Sequence, residues 1–349
     1  MNKTYYGKFA VLSKIKKPLE IYNLPIPNLK KNQILVKLKY SFICGSQMNE
    51  WLGNKGRDNY LPHLLGHEGV GIVVKKGKNI NKFKLNDKVI ISWIKGSGSS
   101  FNSLTYNSED NIKINSGPVS TFSTYTIVPE NRLTRVPKFI KIKNASIFGC
   151  AMPTAFGLAN KAKKIKLNKK KYICIFGTGG IGLLVLICLR YLGYSKIIAI
   201  DKDKRKLLFA KSIGATESLT IKEFKKLILS KKLNTDDISL NIETSGNKNL
   251  MENSFKYLSN NGTCIIAGNT KIGNLIKINP YDIIFGKKII GSIGGDISIE
   301  KNLKIFNDII EKNKIFKKIY FKKEYILNQI NKAILDFKNG KIIRPLIKF

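Results

Sequence analysis

Apolar residues alternate with polar ones in short bursts through the first 150 residues. Examples are Gln33–Tyr40 (QILVKLKY), Gly69–Lys75 (GVGIVVK) and Asp87–Ser92 (DKVIIS), each bounded by Gly, Asn or Pro. Such alternation predicts a mostly β unit. Lys95–Gly117, rich in Gly, Ser and Asn, predicts a long irregular loop. From about Lys171 the period changes. Tyr172–Phe176 reads as a strand that leads through a glycine turn into a helix ending at Leu192. A strand at Lys196–Ile200 and a helix at Lys204–Ile213 follow. Further strands are expected at Ile238–Ile242, Thr263–Ala267 and Ile289–Ile293, with a helix over Leu250–Leu258. Strand–helix alternation of this kind predicts an α/β, doubly wound parallel sheet with right-handed crossovers. Tyr325–Phe337 has helical periodicity, and a short apolar run closes the sequence.

The length of 349 residues fits two domains. The longest apolar run, Ile181–Leu189, is far short of the ~20 residues needed to span a bilayer. Lys8 and Lys14 break up the N-terminal segment, so neither a membrane span nor a signal peptide is expected, and a cytoplasmic location is. The charge is extreme: 62 Lys+Arg against 23 Asp+Glu, a net +39. Only six of the cations are arginines, and they form no stripe or tail. Readers of nucleic acid favour the planar fork of arginine, so no nucleic-acid partner is expected. Five cysteines without paired spacing fit a reducing compartment. Cys174, Cys188 and Cys264 sit in apolar runs and read as small buried hydrophobes.

Two constellations carry chemistry. Gly177-Thr178-Gly179-Gly180-Ile181-Gly182 is a G-x-G-x-x-G between an apolar strand and an apolar helix, and Asp201 ends the next strand. Gly177 permits the tight turn, Gly179 the approach of a pyrophosphate, and Gly182 close helix–strand packing. The helix N-terminus offers free N–H groups to phosphates. Asp201 would accept from the adenosine ribose hydroxyls and repel a 2′-phosphate, which favours NAD over NADP. Lys202, Lys204 and Arg205 leave room for NADP. The second constellation holds the only two histidines, His63 and His67, in PHLLGHEG, with Cys44-Gly45 upstream and Cys150 downstream. Two thiolates and one imidazole are a recognised catalytic zinc set with an open fourth position.

These segments are similar to those of the medium-chain, zinc-dependent alcohol dehydrogenase family over nearly the full length. The resemblance rests on Cys44-Gly45-Ser46, Gly66-His67-Glu68-Gly69, Asn86-Asp87-Lys88-Val89, Gly149-Cys150, Pro153-Thr154-Ala155, the glycine turn, and Gly340-Lys341-Ile342-Ile343-Arg344. It implies a GroES-like, mostly β catalytic domain formed by residues 1–151 and 296–349 around a Rossmann domain at 152–295, with the active site in the cleft between them. It further implies Cys44, His67 and Cys150 as zinc ligands, Glu68 beside the metal, and Ser46 as the group that takes the proton of the alcohol. Thr154 would pack on the nicotinamide, Lys206 would join Asp201 on the ribose, and Arg344 would face the pyrophosphate. Gly180 completes the turn. Trp93 falls where the family lines its substrate pocket, although a core role suits it as well.

Two departures from the family pattern stand out. Lys95–Gly117 lacks the four cysteines of a structural zinc lobe, so one catalytic zinc alone is expected. Asn49 occupies the place of the relay histidine, and Gln47 that of an aspartate. The proton must then leave through water, Glu50 or the ribose, since His63 in its proline-led turn is expected to pack or cap locally. The reading is an alcohol dehydrogenase that transfers hydride between a small-molecule alcohol and NAD, as a homo-dimer or homo-tetramer. Ser46, Gln47, Asn49 and Glu50 lean the substrate towards a polyol, sugar or cyclitol. The rivals are a zinc-free NADPH-dependent reductase of the same superfamily and, from another class, a basic nucleic-acid-binding protein on a Rossmann scaffold.

Overall fold

The computed structural model describes residues 5–165 and 167–349. The chain divides into two compact units, Met1–Cys150 with Ser298–Phe349, and Ala151–Ile297. Among the described residues no helix is long and apolar enough to cross a membrane.

In the first unit ten strands precede the division: β1 (Tyr6–Leu12), β2 (Glu20–Pro25), β3 (Ile34–Phe42), β4 (His63–Leu64), β5 (Glu68–Lys76), β6 (Lys88–Ser92), β7 (Leu104–Asn107), β8 (Lys113–Ser116), β9 (Tyr125–Val128) and β10 (Leu133–Arg135). The alternating Ile34, Val36 and Leu38 of β3 face one core with Val73, Val89, Ile91 and Val128. That burial makes β3 a central strand of its sheet, between β5, β9 and the C-terminal strand Leu346–Lys348. The expected irregular loop at Lys95–Gly117 is corrected in part: β7 and β8 form a hairpin there, because Tyr106 and Ile114 are buried against Phe9 and Leu64. The expected helix over Tyr325–Phe337 begins later, at Ile330. Tyr325 is instead in a strand, Glu324–Ile326, that pairs in parallel with Leu346–Lys348, and its hydroxyl donates to Asp336 Oδ2 at 2.8 Å.

The second unit opens with the helix Ala151–Lys164 and, among the described residues, carries six parallel strands. They are β11 (Tyr172–Phe176), β12 (Ile197–Ile200), β13 (Glu217–Leu219), β14 (Ile238–Glu243), β15 (Thr263–Ile266) and β16 (Lys288–Gly291), in spatial order 13-12-11-14-15-16. The order reverses between β11 and β14, the switch point where open α/β sheets bind ligands. Strands β11 and β12 read as continuous apolar runs because helices cover both faces of a parallel sheet. Capping residues start the crossover helices. Asp203 accepts from the Arg205 N–H, and Thr220 and Glu223 form a reciprocal box at Ile221–Leu229, a helix sequence reading did not anticipate.

Gly182, in the helix Gly180–Tyr191, shows how tightly that helix is seated. A Cβ there would stand 1.9 Å from the Gly177 carbonyl oxygen, a backbone atom that cannot rotate away. Gly182→Ala should therefore destabilise the protein by about 2 kcal/mol or more, read as a lowered urea midpoint. An unchanged midpoint would mean that the helix can shift to make room.

Candidate metal centre and dinucleotide turn

Four backbone junctions converge at one place in the first unit. Strand β3 runs out at Phe42, and Cys44 caps the helix Gly45–Trp51 in extended conformation. His67 immediately precedes β5, and Trp93 follows β6. Gly149 carries Cys150 in, because a Cβ on Gly149 would meet the Ile91 carbonyl at 2.2 Å and Glu68 at 2.9 Å. Ser92 Oγ donates to the Gly149 carbonyl at 2.6 Å and holds that approach.

One ligand atom from each of Cys44, His67 and Cys150 lies within 4.8 Å of the other two. Both cysteines are buried and free of disulfides. The hydrogen bond from Cys150 holds the Cys44 thiol well below its ordinary range against the opposing effect of burial, with Arg344 and His67 adding to it. The same bond and burial push the Cys150 thiol up. His67 Nε2 is buried without a protein partner. A site of two adjacent buried sulfurs and an unpartnered imidazole nitrogen fits a zinc ion.

The other ring nitrogen of His67, Nδ1, lies 3.4 Å from Ser46 Oγ. Gln47, which stands where the family has an aspartate, turns instead to the backbone: the Cys44 N–H donates to its Oε1 at 2.8 Å. Ser46 is thus the side chain that orients His67. Asn49 takes part in a local turn, accepting from Asn54 Nδ2 at 3.1 Å. The Trp93 ring centroid is 6.3 Å from that of His67. Glu68 is completely buried and forms an ion pair with Arg344, itself 2% exposed. Burial disfavours the charged guanidinium, but Glu68, Cys44 and Cys150 outweigh it and hold Arg344 protonated. Arg344 therefore directs Nη2 at Glu68, a partner that the resemblance did not name.

A cavity of about 540 Å³ within this unit contains His67 on its wall. Gln47, Glu50, Asp58 and His63 line it too. Sequence reading left His63 as a local packing residue. Its Nδ1 does bond locally, to the Leu64 carbonyl at 3.1 Å, but its Nε2 bridges to Asp58 Oδ2 at 2.9 Å and so forms part of the cavity wall. Nothing in the spacing of Asp58 and His63 marked them as a pair.

In the second unit the glycine turn sits at the switch point. Gly177 has a φ of +94°, and a Cβ there would touch Ser245 at 2.7 Å. Gly179 has open space where its Cβ would be, as a phosphate cradle requires. Thr178 N–H donates to Asp201 Oδ2 at 2.7 Å and Asp203 N–H to its Oδ1 at 3.0 Å, which fixes the carboxylate at the end of β12. Thr244 Oγ1 donates to the Gly177 carbonyl at 2.7 Å. Beneath it the Glu243 carboxylate accepts from the Ser245 and Gly246 N–H groups, a support sequence reading did not find. Lys206 is half-buried on the helix Lys204–Ile213, Arg205 is bound to Asp203 at 3.0 Å, and Thr154 lies in the first turn of Ala151–Lys164. These residues fit a dinucleotide.

Comparison with known proteins accords with this geometry. Residues 30–138 match the alcohol dehydrogenase GroES-like domain, and residues 180–309 match the zinc-binding dehydrogenase model. Alcohol dehydrogenase 6 of Peromyscus maniculatus is 30% identical across 97% of each chain. Among solved structures, benzyl alcohol dehydrogenase from Acinetobacter calcoaceticus superposes with a TM-score of 0.85 at 23% identity over 99% of both chains. A zinc-binding dehydrogenase from Sinorhizobium meliloti bound to NADP gives 0.78 at 18% identity, over 99% of this chain and 100% of its own. With the sulfur–imidazole cluster and the glycine turn both in place, the chain belongs to the zinc-binding, medium-chain alcohol dehydrogenase family.

Proposed function

We propose that the protein is a zinc- and NAD-dependent alcohol dehydrogenase in which Cys44, His67 and Cys150 hold the metal. The observation that carries this reading is the convergence of the three ligand atoms within 4.8 Å, with His67 Nε2 unpartnered. When bound, zinc supplies Lewis acidity towards an alcohol oxygen and the nicotinamide supplies the hydride acceptor. The protein does the rest. Ser46 Oγ, 3.4 Å from His67 Nδ1, orients that ring, and its hydroxyl takes up the proton of the alcohol as it passes its own O–H proton onward. Glu50, which lines the cavity that His67 also lines and is 27% exposed at its side chain, carries a proton on to water in place of the histidine that Asn49 replaces. Glu68 neutralises Arg344 and leaves the cluster near charge balance. Asp201 and Lys206 hold the adenosine ribose, Gly179 and Gly180 the pyrophosphate, and Thr154 the nicotinamide. The pairing of Arg205 with Asp203 supports NAD, since it removes one cation that a 2′-phosphate would need. The polar cavity wall supports a polyol, sugar or cyclitol as substrate.

Self-association belongs to the same reading. Strand β16 ends its sheet with an unpaired edge among the described residues, and Tyr281, Ile284, Phe285 and Ile293 beside it are each more than half exposed. Apolar side chains along an open edge favour pairing with a second copy. Light scattering should give the mass of a dimer or tetramer, and a monomer at micromolar concentration would rule this out.

Metal analysis of pure protein should find about one zinc per chain, and a strong chelator should abolish activity. Cys150→Ser should lose most of the zinc along with turnover. Full activity in zinc-free Cys150→Ser protein would refute the proposal.

Asp201→Ala should weaken NADH binding by about tenfold or more, the loss of hydrogen bonds to a charged acceptor, measured by NADH fluorescence. The same variant should narrow the preference for NAD over NADP. Equal kcat/KM for the two cofactors in the wild type would overturn the NAD assignment.

A further inference from the structure

Lys and Arg make up 62 of the 349 residues, yet neither occurs among the described residues that line the cavity beside His67. Its carboxylates are Glu50 and Asp58, and it has two imidazoles, His63 and His67. Both carboxylates already have partners. Lys55, outside the lining, places Nζ 2.7 Å from Glu50 Oε2. His63 Nε2 lies 2.9 Å from Asp58 Oδ2 and 3.9 Å from Glu50 Oε1. The remaining polar wall is uncharged, and it includes Gln47, 3% exposed, whose Nε2 is buried without a partner. Nor does the metal cluster leave a cation to spare: two thiolates match a dication, and Glu68 matches Arg344.

An anion entering this cavity would give up its hydration for a wall with two carboxylates and no free cation. The net charge of +39 does not change that outcome. It acts from the outer surface, damped over a Debye length of about 8 Å, and so speeds the arrival of anions without offering one a counter-ion inside. A hydroxyl, by contrast, finds a donor in Gln47 and acceptors in Glu50 and Asp58. We propose that this cavity selects its alcohol by charge, admitting uncharged or cationic substrates and rejecting those that carry a phosphate or carboxylate. The inference rests on the dehydrogenase reading above and sharpens its substrate class.

Two matched pairs test it on the zinc- and NAD-loaded enzyme: sorbitol against sorbitol 6-phosphate, and benzyl alcohol against 4-(hydroxymethyl)benzoate. The anionic member of whichever pair is oxidised should have a kcat/KM lower by about a hundredfold, and should inhibit its neutral counterpart only weakly. Glu50→Gln, which removes one carboxylate and frees Lys55, should narrow that ratio by about tenfold, whereas Glu50→Asp should preserve it. Equal kcat/KM within a pair, or an anion that competes as well as the neutral alcohol binds, would overturn the proposal. Oxidation of benzyl alcohol but not sorbitol would remove the polyol preference and leave charge selection standing. Oxidation of none of the four would bring down the dehydrogenase reading itself, and this inference with it.

Discussion

The Glu68–Arg344 ion pair is the contact on which the candidate metal centre depends. A carboxylate with no exposure to water is tolerable only if an opposite charge and hydrogen bonds replace its hydration. Arg344 supplies both, and its field extends to Cys44 and Cys150, where it favours ionised sulfur. Glu68 is also the first residue of β5, directly after His67, and the surface against which Gly149 brings Cys150 into place. One carboxylate therefore touches the backbone geometry of two expected ligands and the charge of the third. Arg344 in turn is positioned by the strand Leu346–Lys348, which pairs with β3 just before Cys44.

The second unit solves a different problem. A glycine turn at a strand end has no side chains of its own to stiffen it, so its neighbours must. Thr244 bonds the Gly177 carbonyl, Asp201 takes the Thr178 N–H, and buried Glu243 gathers the loop that follows β14. Burial pushes the Glu243 carboxyl up, and the N–H and O–H donors around it work against that shift. Rigid support of this kind keeps the N-terminus of the helix Gly180–Tyr191 pointed at one place.

What the sequence made legible follows the physics of each signal. The parallel strands β11 and β12 stood out because both faces are buried and nearly every residue is apolar. The hairpin β7–β8 did not, since its strands are four residues each and Tyr106 and Ile114, with partly buried Leu104, anchor them among Thr, Asn, Ser and Lys. Tyr325 has helical spacing to Phe337, but its neighbour in space is a strand far along the chain, and tertiary pairing outweighs local periodicity. In the candidate site, residue types and motif order pointed to Cys44, His67 and Cys150. The partnerships of Ser46 with His67, His63 with Asp58 and Arg344 with Glu68 were invisible. Each joins residues whose proximity is decided by how β3, β5 and the C-terminal strand Leu346–Lys348 are laid side by side, or by a turn outside any motif.

The route of the chain has a consequence for how the molecule is made. Residues Ala151–Ile297 form one uninterrupted run whose six strands, among the described residues, pair only with one another, so this unit can complete its sheet while later residues are still being added. The other unit cannot. Glu68 is synthesised 276 residues before the guanidinium that allows it to be buried. Closing so long a span adds little entropy beyond that of a shorter one, because the cost grows only with the logarithm of length. The penalty is in waiting: until the last strand docks on β3, a nascent chain holds two cysteines and an unpaired carboxylate in an unfinished sheet. The candidate metal centre therefore waits for Arg344 and the strand Leu346–Lys348 before its buried carboxylate is paired.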